Sequence, residues 1–348
     1  MINVALIGIG NNASALVQGV EYYKNCNKIE DAPLLKYSKK LISEVSIKVG
    51  IDIDSRKVNT DLSKAIFSKP NCSKVLFIPP ELNVPVYPGK ILDGVNEKTE
   101  KYIDLVNDQG IETSKILKKE KIDVVVIMIP SGAQKAAAYY AREAISAGCC
   151  IVNGIATNIA KNVTLVDKIK KCQLTVIGDD IKSQVGATII HKKLLELITE
   201  QGGKIESTYQ LDWGGGMDFA NLVNNRYDLG KRQSKTNALL PCFDDPNNAL
   251  IKVTAADYIP FLNATKEALI KIKGSIFGRQ IVDISLSLKV QDNFNAAGIL
   301  LESIIITYLA NKKGIYGSFN EGCAVLMKSP PVDISETEAR KIIDNILD

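Results

Sequence analysis

Histidine is almost missing from this chain. His191 is the only one in 348 residues, and it lies in a stretch, residues 185–193, whose spacing predicts a helix in which it is a surface or packing residue. Because histidine is the commonest acid–base side chain, proton transfer here falls to another group. Lysine, pushed toward neutrality by burial or neighbouring cations, is the natural substitute. Paired cysteine spacing is also absent: Cys26, Cys72, Cys149, Cys150, Cys172, Cys242 and Cys323 are odd in number and contain no C-x-x-C, which excludes a disulfide framework and a structural zinc site. No apolar run reaches membrane-spanning length, and the N-terminus lacks the basic, apolar and small-residue order of a signal peptide. A cytoplasmic protein with no membrane partner is the expectation. The net charge of +4 is mild and its lysines are dispersed, which argues against a nucleic-acid groove and for small anionic ligands. Internal repeats and low-complexity tracts are lacking too. What remains is an ordinary globular composition, 46% apolar and 24% charged, in a chain long enough to need two joined domains.

The first twenty residues read as a strand, a glycine turn and a helix. Val4-Ala5-Leu6-Ile7 leads into Gly8-Ile9-Gly10-Asn11-Asn12-Ala13, and Ala13, Leu16, Val17 and Val20 recur at helical spacing. In a dinucleotide site Gly8 permits the tight turn, Gly10 lets the backbone approach the phosphates, and Ala13 lets the helix pack close on the strand. The helix N-terminus supplies partial positive charge. Packing alone also produces such turns. Residues 45–53 form a second predicted strand ending in Asp52 and Asp54; Asp52 is the preferred acid for the adenosine ribose, with a plain turn as the alternative. Its distance from the turn exceeds the usual ~20 residues, so a lysine-rich insertion over residues 25–40 is expected to loop out.

The proline-rich residues 77–94 read as an extended surface loop or substrate lid. Residues 122–129 are a continuous β-branched run, a strand buried on both faces, ending at Pro130-Ser131-Gly132 before an alanine-rich helix. Further alternation of strands and helices to about residue 180 predicts a parallel, doubly wound sheet. From residue 204 the period changes: Ile205, Tyr209, Leu211 and Trp213 share one phase, and Ile284, Leu286, Leu288 and Val290 another, as in half-buried antiparallel strands. Residues 296–309 and 336–347 return to helical spacing.

Four constellations carry chemistry. Gly178-Asp179-Asp180-Ile181-Lys182-Ser183-Gln184 follows a strand and precedes a helix, placing polar groups at the sheet's carboxyl edge or, more simply, capping the helix through Ser183. Lys231 and Lys235 fall one helical turn apart, a repulsive pair that an anion would relieve, or a solvated face. Asp292 continues the phase of Val290, so it either points inward toward a cation or turns outward where the strand ends. Lys252 and Lys328 show nothing unusual locally.

Six blocks in order along the chain resemble the myo-inositol-1-phosphate synthase family in its shorter prokaryotic form: residues 8–19, 178–188, 214–221, 231–236, 257–260 and 327–331. The resemblance implies a Rossmann-like NAD-binding domain over residues 1–190, completed by 298–348, and an inserted α+β substrate-binding and oligomerisation domain over 191–297. It implies a homotetrameric isomerase that converts glucose 6-phosphate to myo-inositol 1-phosphate by internal oxidation, enolisation, aldol cyclisation and reduction. By matched position, Gly8, Gly10, Asn11, Asn12, Ala13, Asp52, Pro130, Ser131, Asp180 and Ser183 would hold NAD. Lys231 would serve proton transfer or oxyanion stabilisation, Lys235 the redox carbon or the phosphate, and Lys252 and Lys328 the sugar phosphate. Asp218 and Asn221 would contact substrate. Asp180 and Asp292 would act in catalysis, with Asp292 the candidate contact for a divalent cation. Gly216 stands where relatives commonly carry asparagine, which leaves open a paralogue acting on another sugar phosphate. An ordinary NAD-dependent dehydrogenase and a non-catalytic nucleotide-binding regulator are the other readings.

Overall fold

β1 (Ile2–Ile7) is apolar on both faces and almost wholly buried, as a strand covered above and below must be. The computed structural model describes residues 1–26, 28–95, 100–107, 112–222, 235–236 and 239–348, with backbone alone for 221–222. In it β1 is joined by β2 (Val45–Asp52), β3 (Val86–Pro88), β4 (Val124–Ile127), β5 (Cys150–Asn153), β6 (Thr175–Ile177) and β11 (Gly317–Ser318). Their order is β11-β6-β5-β4-β1-β2-β3, and every pairing is parallel. The chain moves outward from β1 to β3, then crosses back to β4 and outward again. The order therefore reverses between β1 and β4, where open α/β sheets bind ligands at their carboxyl ends.

The chain divides into two compact units, Met1–Lys182 with Ala296–Asp348, and Ser183–Asn295. In the first, two expectations need correction. The insertion after the helix Asn11–Lys24 does not loop out: it forms the helix Lys36–Leu41, whose Tyr37 and Ser38 are buried. The Glu302 carboxylate accepts hydrogen bonds from both their N–H groups and from the Ser38 hydroxyl, supplying a cap from 264 residues away. The proline-rich stretch is not simply a loop or lid either, because β3 pairs through Val86, Tyr87 and Pro88 with Gly50, Ile51 and Asp52. Its place at the sheet's edge is where proline is tolerated. The helix Asp292–Lys312 is long and apolar enough to match a membrane span by length and composition alone. Here 72% of its apolar window is buried inside the fold, and Ser303 and Thr307 return their hydroxyl protons to carbonyls one turn back.

The second unit holds β7 (Lys204–Gly214), β8 (Leu250–Tyr258), β9 (Thr265–Ile276) and β10 (Gln280–Gln291) in the order β10-β9-β7-β8. β9 is antiparallel to both neighbours, but β7 and β8 run parallel, so the sheet is mixed rather than antiparallel throughout. The phase of β7 is also the reverse of that expected. Thr208, Gln210 and Asp212 are the buried set, while Tyr209 is 40% exposed. Leu195 and Ile198 of the helix Ala187–Glu200 join Val253, Ala268, Ile270 and Ile272 in the unit's core, and the polar trio shares that face.

Candidate active site

The turn after β1 is built for close approach. Gly8 has φ +91°, and a Cβ there would lie 2.9 Å from the Met128 carbonyl oxygen, so no other residue fits. A Cβ on Gly10 would meet nothing within 4 Å. Open space thus faces the start of the helix Asn11–Lys24, which has Gly10 as its N-cap and no acid in its first turn. Such a helix end attracts anions. By contrast, the helix Gln134–Ala147, which follows exposed Pro130 and half-buried Ser131, already has the Asp93 carboxylate at its N-terminus, 2.8 and 2.9 Å from the Lys135 and Ala136 nitrogens.

Ile9, between the two glycines, is clamped. Its N–H donates to Asp52 Oδ2 at 2.7 Å, and its carbonyl accepts from Lys57 Nζ at 2.8 Å and Asn71 Nδ2 at 2.9 Å. Asp54 is taken up inside the fold by three bonds from Arg56, one from its backbone N–H and two from its guanidinium group; Asp52 stands at the end of β2 beside the turn. Asn11 ties the turn down through its side chain, which accepts from the Cys72 N–H at 2.8 Å. Asn12 is half-buried and Ala13 fully buried. Local sequence gives no sign of Lys57 or Asn71, which meet Ile9 only by tertiary folding. Lys57 is 4% exposed and lies 3.7 Å from Asp52. Lys57→Met is expected to destabilise the protein by about 3 kcal/mol, as orphaning one member of a buried pair does; an unchanged urea midpoint would refute this.

At the end of β6 the motif Gly178 to Lys182 pairs with residues 327–329. The N–H of Lys328 donates to the Asp180 carbonyl at 2.7 Å, that of Ser329 to the Asp179 carbonyl at 3.1 Å, and Lys328 Nζ lies 3.4 Å from Asp180 Oδ1. Asp180 and Lys328, 148 residues apart, are thereby brought together. Asp179 is structural: its carboxylate accepts from Asn153 Nδ2 and from the N–H groups of Ile159 and Ala160. Burial nevertheless pushes its pKa up to about 6. Lys182 turns away to the Ala324 carbonyl and Glu336. Ser183 does not cap the next helix; Gly186 does.

In the second unit the buried face of the sheet carries a charge cluster. Asp212, fully buried, is hydrogen-bonded to Lys235 Nζ and lies 3.8 Å from Lys266 Nζ, which is itself 3.8 Å from Asp292. Burial alone would raise the Asp212 pKa, but the two ammonium groups and Gln210 overcome it and hold the carboxyl well below its usual range. Asp292 does not continue β10. The strand stops at Gln291, and Asp292 opens the helix Asp292–Lys312, yet its carboxylate still faces a lysine. Lys252 does not join the cluster. It is exposed and pairs across the sheet with Tyr209, on the face opposite Asp212. Lys266 takes its place, and it had a legible signal: it is in phase with Ala268, Ile270 and Ile272 on one strand, all buried. Lys231 lies outside the described residues, as does the Asn221 side chain. Asp218 is exposed on the helix Met217–Leu222.

The glycine run before that helix is sterically required at Gly215, where a Cβ would come within 2.7 Å of three backbone atoms of Asn263 and Ile259. Gly215→Ala is expected to cost about 3 kcal/mol, readable as a lowered thermal midpoint. His191 is buried between Gln210 Oε1 at 3.2 Å and Thr208 Oγ1 at 2.6 Å, and burial lowers its pKa to about 4. Folding then excludes a proton that the unfolded chain binds below pH 6.5. The resulting stability is complete above that pH and is lost as pH falls to about 4, a span worth about 3 kcal/mol. Trp213, the only tryptophan, sits on β7 and reports this unit. A fluorescence-detected urea midpoint that stays constant from pH 7 to 4.5 would contradict the assignment.

The reversed strand order and the second mixed sheet define a doubly wound α/β protein of Rossmann type with an α+β insertion. The sequence profile of the family described as myo-inositol-1-phosphate synthase matches residues 186–293. The inositol-3-phosphate synthase of Mycolicibacterium smegmatis is 34% identical over 100% of this chain and 98% of its own length. Among solved structures, that of Ari2 superposes with a TM-score of 0.82 at 28% identity, covering 99% of this chain and 98% of Ari2. A myo-inositol-1-phosphate synthase-related protein from Thermotoga maritima shares the fold with a TM-score of 0.77 at 19% identity, covering 99% and 98%. The chain belongs to the myo-inositol-1-phosphate synthase family and is an enzyme of that class.

Proposed function

We propose that this enzyme is an NAD-dependent isomerase converting glucose 6-phosphate to 1D-myo-inositol 3-phosphate, also called myo-inositol 1-phosphate. The observation that carries the reading is the pair of ammonium groups, Lys235 and Lys266, gathered on one buried carboxylate in a chain whose only histidine is held neutral. Cyclising an open-chain sugar passes through an enolate and an alkoxide, and fixed cations stabilise both. The first unit suits a dinucleotide: open space before Gly10, a helix start without an acid, and Asp52 at the end of β2 for ribose hydroxyls. NAD bound there supplies reversible oxidation and reduction of one sugar carbon, so the conversion is redox-neutral overall.

The chain's own residues do the rest. Lys235 is the proton donor to the developing alkoxide, and Asp212 keeps it charged and in place. Lys266 stabilises the enolate oxygen and is steadied by Asp292. Lys328, oriented by Asp180, contacts the sugar phosphate, and Lys231, Ser183, Asp218 and Asn221 keep their expected contacts in this reading. A divalent cation at Asp292 is not supported. Its neighbour is an ammonium group, and among the described residues no three His, Cys, Asp or Glu side chains gather to hold a metal.

Purified protein incubated with glucose 6-phosphate and NAD is expected to form inositol phosphate without accumulating NADH. One NADH per sugar consumed would instead establish a dehydrogenase, and nucleotide binding without either product a regulator. A homotetramer belongs to the same reading and is checked by light scattering, as four times the 37.9 kDa chain mass.

A further inference from the structure

We propose that His191, acting through Gln210, is a positioning residue for the Asp212–Lys235–Lys266 cluster; the role rests on the isomerase reading above. Gln210 Nε2 donates to both Asp212 oxygens, at 2.9 and 3.1 Å, and Gln210 is fully buried. Its amide has two chemically different ends. With the carbonyl end toward Asp212, an oxygen would oppose an ionised carboxylate, so the NH2 end must face it. That orientation sends Oε1 toward the helix Ala187–Glu200, where the ring of His191 meets it. The imidazole proton therefore sits on Nδ1, while Nε2 lies 2.6 Å from the Thr208 hydroxyl, whose single proton has two acceptors, Nε2 and the Lys271 carbonyl at 2.7 Å. The tautomer, the amide orientation and the carboxylate position are set as one unit.

The surroundings make this network costly unless it serves the site. Val253, Ala268, Ile270, Ile272, Leu195 and Ile198 form the same core, and an apolar pair in place of His191 and Gln210 would remove two buried polar groups while Thr208 keeps the Lys271 carbonyl and Asp212 keeps Lys235 and Lys266. The network ends on a buried carboxylate that pairs with Lys235. A lysine that shifts by about 1 Å is enough to lose two orders of magnitude in rate, so fixing Asp212 fixes the reactive ammonium.

The decisive variant is the double substitution His191→Leu and Gln210→Leu, which removes the His191–Gln210 link while Asp212 retains Lys235 and Lys266 and Thr208 retains the Lys271 carbonyl. If the network served folding alone, this protein would keep its kcat. Positioning predicts instead a Trp213-detected urea midpoint at or above wild type, a kcat lowered about 10- to 100-fold and a KM for glucose 6-phosphate within about twofold of wild type. A second measurement needs no turnover: competitive acetylation by acetic anhydride, read by peptide mass spectrometry, should rise several-fold at Lys235 and stay unchanged at exposed Lys252. Should wild type make no inositol phosphate, the isomerase reading fails while the acetylation comparison still judges the positioning role. His191→Gln keeps a donor for Gln210 and is expected to keep kcat within about threefold of wild type, which also covers failure of the double variant to fold. A folded double variant with wild-type kcat and wild-type Lys235 labelling, or a His191→Gln enzyme that has lost its kcat, overturns the proposal.

Discussion

Asp212→Ala is expected to destabilise the second unit by about 4 kcal/mol and to abolish turnover. Asp212 has no solvent exposure, and Lys235, its hydrogen-bonded partner, is 8% exposed. Removing the carboxylate takes a buried countercharge from both ammonium groups, and Lys266 keeps Asp292 at 3.8 Å. Breaking a buried pair from one side costs ~3–5 kcal/mol, because the surviving charge stays desolvated without compensation. Gln210 also loses the acceptor for its NH2 group, a further ~1–3 kcal/mol if that donor finds no water. Trp213 lies next in the chain, so its fluorescence reads the loss directly. Asp212→Asn keeps the shape and an acceptor for Gln210, and is expected to recover part of the stability without the activity. A wild-type urea midpoint for Asp212→Ala would show that the pair contributes nothing to folding, and normal turnover would detach it from catalysis.

Lys235→Met should lower kcat about 10³-fold while leaving nucleotide affinity near wild type. Deleting one preorganised charge-stabilising donor typically costs ~10²–10³ in rate, and Lys235 is assigned both the alkoxide proton and part of the negative charge. Methionine retains the length of the stem and most of its packing. The variant also orphans Asp212, whose pKa then rises because burial acts without its nearest cation; Lys266 remains as the only described ammonium group beside it. The loss should therefore fall on kcat and on stability, with NAD binding, measured by titration calorimetry, unchanged because the proposed nucleotide residues belong to the other unit. A tenfold loss of NAD affinity with normal kcat would reverse the assignment of Lys235.

His191 and Asp179 give the two units opposite responses to acid. His191 loses stability for the second unit as pH falls from 6.5 to about 4. Asp179, raised from 3.8 to about 6, favours the folded first unit in its protonated form, so that contribution is present at low pH and is lost as pH rises through this range. Circular dichroism, which averages over both units, should therefore show a shallower dependence between pH 4 and 6 than Trp213 fluorescence.

Much of the first unit was legible because its signals are local. Gly8, Gly10 and the apolar strand before them lie within a single strand–turn–helix, and the β-branched run at residues 122–129 needs no distant partner to be recognised. Lys57 left no such trace. Its identity as the clamp on Ile9 follows from where the chain places residue 57, since a lysine after a strand is ordinarily a solvated one. For Asp292 the sequence left two readings open, an acid facing inward to a cation or one turned outward at the strand's end. The strand does end at Gln291, yet the carboxylate lies 3.8 Å from Lys266; side-chain phase carries across a strand end only if the backbone stays extended. Lys252 and Lys266 show the same limit. Six residues separate Lys252 from Tyr258, but strand parity puts it on the outer face, while the apolar alternation of β9 carries Lys266 inward.

Composition and period together determined the layered α/β architecture, the glycine turn and the scarcity of histidine, since each rests on residues within one or two turns or on a count over the whole chain. Tertiary structure alone decided which face of β7 is buried, and so which charges meet. A strand with polar residues in one phase and apolar residues in the other ordinarily buries the apolar set. Here β7 buries Thr208, Gln210 and Asp212 because His191 and two lysines, distant in sequence, arrive to satisfy them.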